Sequence, residues 1–163
     1  MQQYIRYGGI TLLLLILQTT IIPFTSIAGI IPDVMLVWLV YIALQTGQIS
    51  ATVAGCTIGL VLDLVSGQFL GLSALSKTVA GFFAGYFYNN NKVNYTIATP
   101  QFIIITAAVS FAHNILYFIL FLQGSDVGLF TAIFRFGLFA TLYTTALACF
   151  PMFVFSRKNS EIV

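Results

Sequence analysis

The sequence predicts an all-α membrane protein, a bundle of six transmembrane helices with both termini on the cytoplasmic side. The first observation behind this is charge. Of 163 residues, 60% are hydrophobic and 6% charged, with six Lys or Arg and four Asp or Glu. A soluble domain carries about 25% charge and buries only about two-thirds of the surface its unfolded chain would expose, so ten charges cannot solvate the rest. The second is a mean hydropathy of +1.02 with 16 Phe and 8 Tyr, which excludes a disordered tail and a nucleic-acid binder. The third is six apolar runs between turn-forming residues, each on the scale of the roughly 20 residues that a bilayer core requires.

The first run covers residues 5–24 and stops at Pro23, ahead of a loop with Thr25, Ser26, Gly29 and Pro32. Arg6 before an apolar core, with Ser26 and Ala28 beyond it, resembles a cleavable signal, but the length of the run favours a retained helix. The second and third runs cover 31–45 and 50–65. As one helix, residues 31–65 would reach about 50 Å, longer than any bilayer, and Gln45, Thr46, Gly47 and Gln48 supply the turn that divides them. The fourth covers 70–88 and ends at the polar stretch Asn89 to Asn94. The fifth covers 97–122, and the sixth 129–155 with Pro151 near its end. No connection is long enough for a soluble domain, so residues 1–163 form a single integral membrane domain.

Basic residues mark the cytoplasmic side of short loops. Six spans with both ends inside put Arg6, Lys92, Arg157 and Lys158 on one side, and Asp33 and Asp126 on the other. Tyr4, Tyr7, Tyr86, Tyr88 and Tyr95 gather near the cytoplasmic interface as an aromatic belt. The net charge of +2 implies neither an acidic partner nor a polybasic lipid clamp.

Three charges remain inside the bilayer: Asp63, Lys77 and Arg135. A charge at mid-bilayer costs about 2.5 to 3.5 kcal/mol on insertion scales, so such groups face a bundle interior or a partner. Asp63 and Lys77 flank the short turn between the third and fourth spans, and a pair between them is expected, with Arg135 as the competing partner and snorkelling as the bland alternative. On the same two spans small residues recur every four positions: Ala51, Gly55 and Gly59 lead to Asp63, and Lys77 is followed by Gly81 and Gly85. Gly67 and Gly71 continue the pattern across the turn. Such faces let helix backbones approach closely, either within this chain as an antiparallel hairpin or against another protein's helix.

His113 and Asn114 read as interhelical hydrogen bonders, because a proton relay needs a longer series of such groups. Cys56 and Cys149 stand far apart without a CxxC spacing and read as small buried hydrophobes. The sequence has no HExxH, GxSxG or phosphate-binding lysine loop and too few acids for a metal site. Neither enzymatic activity nor a cofactor is expected.

The central segment resembles a known family. Ile31-Pro32-Asp33-Val34-Met35-Leu36-Val37-Trp38-Leu39-Val40-Tyr41, then Gly47, then Gly55-Cys56-Thr57-Ile58-Gly59-Leu60-Val61-Leu62-Asp63-Leu64 with Gly67, Leu70-Gly71 and Ala74-Leu75, is similar to MreD, the multi-span rod-shape-determining protein of bacteria. The resemblance covers about residues 31–88 and carries Pro32, Asp33, Tyr41 and the glycine frame around Asp63. It implies a non-enzymatic scaffold of the cell-elongation complex in the bacterial inner membrane. The implied partners are the single-span protein MreC and, indirectly, the peptidoglycan polymerase–transpeptidase pair and MreB filaments. The family is also similar in architecture to the substrate-binding components of energy-coupling-factor transporters, so a vitamin-binding transporter subunit is the alternative.

Overall fold

The computed structural model describes residues 2–27, 29–67, 69–122, 130 and 132–160, with side chains placed for all of these except 2–4, 135 and 154–160. Among the described residues seven α-helices follow one another: α1 (Gln2–Thr20), α2 (Val34–Thr46), α3 (Gln48–Ser66), α4 (Leu72–Tyr86), the short α5 (Val93–Ala98), α6 (Gln101–Phe121) and α7 (Leu138–Ser160). Among the described residues three stretches are long and apolar enough to cross a bilayer, Gln48–Ser66, Gln101–Phe121 and Ala132–Phe153, and Ile5–Thr20 and Val34–Thr46 are shorter apolar helices.

Local chemistry explains where the helices stop. Pro23 has no N–H and its ring crowds the carbonyl four residues back; α1 ends at Thr20 and Ile22–Thr25 form a 3-10 turn, four residues earlier than the apolar run suggests. Gly47, at φ +85°, lets the chain reverse between α2 and α3. Thr99 precedes Pro100 and is extended, as that position favours, so the expected span at 97–122 divides into α5, a break and α6. The sixth run differs more. A π-helical turn at Ala132–Gly137 leads into α7, which contains Pro151 and runs to Ser160, beyond the expected end at 155.

α2 is the centre of the bundle. Met35, Leu36, Leu39, Val40 and Ala43 are fully buried, and Val37, Ile42 and Leu44 nearly so, which covers every face of a helix that is apolar all round. Around it, α3 and α4 form an antiparallel hairpin, with α1 beside α2 and α3, and α6 and α7 on the far side. The outward faces carry exposed large apolar side chains, including Leu12, Leu13, Val53, Leu64, Phe82, Phe139, Leu142 and Phe150. A soluble monomer rarely shows so much contiguous apolar surface; a bilayer covers it.

Two of the expected features move. Cys149 is exposed on α7 and Cys56 is half-buried, so neither is a fully buried hydrophobe. Gly67 and Gly71 do not pack: a Cβ on either would meet nothing within 4 Å. Both have left-handed backbone, φ +65° and +100°, at the C-cap of α3 and the N-cap of α4, a conformation that favours glycine.

Candidate functional site

The four helical glycines of the hairpin face the opposite backbone. A Cβ on Gly55 would lie 2.3 Å from the Lys77 carbonyl oxygen, one on Gly59 2.3 Å from Ala74 Cα, one on Gly81 2.4 Å from the Ala51 carbonyl oxygen, and one on Gly85 2.3 Å from Gln48 Cα. Dispersion attraction falls steeply with separation, so this contact requires hydrogen where other residues carry a side chain. The glycine faces of α3 and α4 are therefore covered by each other.

Asp63 closes the same hairpin at its turn. Its Oδ2 accepts from the Gly71 N–H (2.9 Å) and the Ala74 N–H (3.3 Å), and its Oδ1 accepts from the Ser73 N–H (3.0 Å). These are donors that the first turn of α4 cannot satisfy internally, and a carboxylate there also meets the positive end of the helix dipole. The expected Asp63–Lys77 pair does not form, because the carboxylate is already spent on α4's amides. Arg135, its expected competitor, lies outside the described side chains, and Gln68 and Asp126 outside the described residues.

Lys77 instead pairs with Asp33 of the α1–α2 connection. The Lys77 Nζ donates to Asp33 Oδ2, and His113 Nε2 of α6 stands 3.6 Å from the same oxygen. Three helices are thereby joined at one carboxylate. Asp33 is held from several sides, since its Oδ1 caps α2 by accepting from the Leu36 N–H at 2.9 Å and its own N–H donates to Thr144 Oγ1 of α7 at 3.1 Å. Gln18 of α1 clamps the residues beside it, donating to the Pro32 carbonyl (3.1 Å) and accepting from the Val34 N–H (3.0 Å). Asp33 is thus not a free loop charge, and Pro32 sits in the same clamp.

His113 and Asn114 sit next to each other on α6. Asn114 Nδ2 donates to Thr141 Oγ1 (3.0 Å) and the Gly137 carbonyl (3.4 Å), tying α6 to the π-turn and α7. Among the described residues, His113 Nδ1 and Ser110 Oγ are buried without a hydrogen-bond partner. Above this group opens a cavity of about 660 Å³, lined by Asp33, Lys77, His113 and Asn114 together with apolar residues of α3, α6 and the π-turn. Tyr41 lies elsewhere: it stacks on Trp38, with ring centroids 5.1 Å apart, and Trp38 donates to Thr11 Oγ1 of α1 at 2.9 Å.

No reading of the sequence joined Asp33 to Lys77 and His113. The one available signal was that Asp33 and Lys77 fall at the same bilayer depth in a six-span layout, which makes them possible partners without choosing between Asp33 and Asp63. Among the described residues no group of three or more His, Cys, Asp or Glu is placed to hold a metal ion.

Apolar helices, outward aromatic and aliphatic surfaces, and polar residues spent on fastening one helix to another define a helical membrane protein. It belongs to the MreD family: the model for the rod shape-determining protein MreD matches residues 5–159. Membership gives it a place in determining rod shape. No curated protein and no solved structure matches the chain.

Proposed function

We propose that this chain is a six-span, non-enzymatic scaffold of the cell-elongation complex in the bacterial inner membrane, with both termini cytoplasmic. It binds MreC and through it couples MreB filaments to peptidoglycan synthesis. The observation that carries this reading is the family match across nearly the whole chain.

The glycines of α3 and α4 are occupied within the hairpin, so the partner helix is assigned to a different face. An apolar groove of about 650 Å³ runs between α1, α2 and α3, with Gly8, Ser50 and Ala54 among its lining residues. Small residues of this kind let a second helix approach closely, and packing is what drives helix association in lipid. A Cβ on Gly8 would meet nothing within 4 Å, so Gly8→Phe is chosen to place a ring at the groove that Gly8 lines. Co-purification with MreC from native membranes should fall for Gly8→Phe while thermal stability stays at the wild-type value. Wild-type recovery of MreC with Gly8→Phe removes this groove from the interface. Depletion of the protein should round rod-shaped cells.

One observation favours the alternative of a vitamin-binding transporter subunit, namely the cavity over Asp33, Lys77 and His113. Such a subunit needs a pocket with convergent polar groups. Stabilisation by a vitamin in a thermal-shift screen would put that reading first.

A further inference from the structure

The cavity at the α1–α2 end holds more hydrogen-bonding capacity than joining the helices consumes. Its volume of about 660 Å³ falls in the range of small-molecule sites, roughly 300–1,000 Å³. Asp33 exposes 21% of its side chain, whereas Lys77 exposes 1% and His113 6%. A ligand therefore meets the carboxylate, with the ammonium behind it. Asn114 spends both amide N–H groups on Gly137 and Thr141, which leaves its carbonyl oxygen as an acceptor. Ser73 also lines the cavity, and His113 Nδ1 has no hydrogen-bond partner among the described residues.

Among the described side chains lining the cavity, the charges of Asp33 and Lys77 cancel. A ligand of either net charge would lose its hydration here and meet no opposite net charge from these groups in return. A neutral group that both donates and accepts hydrogen bonds satisfies the carboxylate and the amide oxygen without that cost. The cavity walls add the aromatic side chains of Tyr117, Phe118 and Phe136, apolar surface for the C–H side of a ring or chain that carries hydroxyls on its other edge.

We propose that this cavity binds a neutral, hydroxyl-rich group, a sugar or polyol, either free or as the head of a lipid. The site is independent of the scaffold reading, and its test does not use MreC.

The full-length protein is purified in a zwitterionic detergent without hydroxyl groups. In one arm, millimolar glucose and inositol are titrated against thermal unfolding. In the other, the protein is placed in phosphatidylcholine nanodiscs containing equal amounts of monoglucosyl-diacylglycerol and phosphatidic acid, and co-retained lipid is read by native mass spectrometry. Stabilisation by the free compounds identifies a soluble ligand, retention of the glucolipid identifies a lipid head, and either supports the site. Asp33→Asn removes hydrogen bonds to a charged acceptor and should weaken binding by about tenfold. Tyr117→Leu replaces the ring with a smaller aliphatic side chain and leaves the Asp33–Lys77 pair in place, so it should weaken binding even where Asp33→Asn fails to fold. No response in either arm, a preference for phosphatidic acid, or wild-type binding by Tyr117→Leu overturns the proposal.

Discussion

A single methyl group at Gly55 tests whether glycine holds the α3–α4 hairpin together. In Gly55→Ala the new Cβ would fall 2.3 Å from the Lys77 carbonyl oxygen, 2.8 Å from its carbonyl carbon and 3.2 Å from Thr78 Cα. These are backbone atoms of α4, so no side-chain rotation relieves the overlap. Ordinary contact begins near 3.4 Å, so the helices must part by about 1 Å (3.4 minus 2.3). A gap of that size forfeits a quarter to a half of the dispersion well for each atom pair along the seam, and overpacking of this kind costs about 1–3 kcal/mol. In lipid no hydrophobic effect draws the helices back together, which places the cost near 3 kcal/mol. Alanine's helix propensity returns about 1 kcal/mol, for a net loss of about 2 kcal/mol. Gly81→Ala meets the Ala51 carbonyl oxygen at 2.4 Å and should cost a similar amount. Because one separation relieves both overlaps, the double variant should lose clearly less than the sum. Unfolding by denaturing detergent, followed through the fluorescence of Trp38, the sole tryptophan, measures all three variants. Gly8→Ala, which meets nothing within 4 Å, is the control and should be neutral or slightly stabilising. Gly55→Ala within about 0.5 kcal/mol of the wild type, or strict additivity in the double variant, would refute the reasoning.

Lys77→Met leaves the Asp33 carboxylate without its ammonium and should destabilise by about 3–5 kcal/mol, with much of that recovered in the double variant Asp33→Asn/Lys77→Met; thermal unfolding in detergent decides this, and a double variant worse than Lys77→Met would count against the pairing. Asp63→Asn replaces an acceptor oxygen with an N–H donor opposite backbone amides and should cost about 1–3 kcal/mol, with faster hydrogen exchange confined to Gly71, Ser73 and Ala74. Thr11→Val removes the acceptor for the Trp38 indole and should shift the tryptophan emission maximum while costing about 1 kcal/mol; an unchanged spectrum would place that bond outside the folded protein in membranes.

Interactions between near neighbours in the chain were legible in advance. The turn at Gly47, the stop at Pro23 and the glycine spacing of α3 and α4 all act within one helix or one connection, and the sequence places them without knowledge of the rest. Asp63 belongs to the same class, since it reaches amides only eight to eleven residues ahead, yet its charge across a short turn from Lys77 suggests an ion pair instead. Its closeness to an unsatisfied helix start was the better guide, because three amides within reach of a carboxylate compete well against one lysine. Pro151 lies inside α7, since proline disfavours a helix interior only by a finite amount.

By itself, the sequence determined that this chain lives in a bilayer and which family it resembles, because composition and glycine periodicity are properties of the chain alone. Tertiary structure decided which charges meet. Asp33 and Lys77 are 44 residues apart, and His113 comes from a third helix. Only the packing of α4 and α6 around the start of α2 brings them to one carboxylate. A charge in an apolar interior takes whichever partner the helices deliver, and that depends on their order in space.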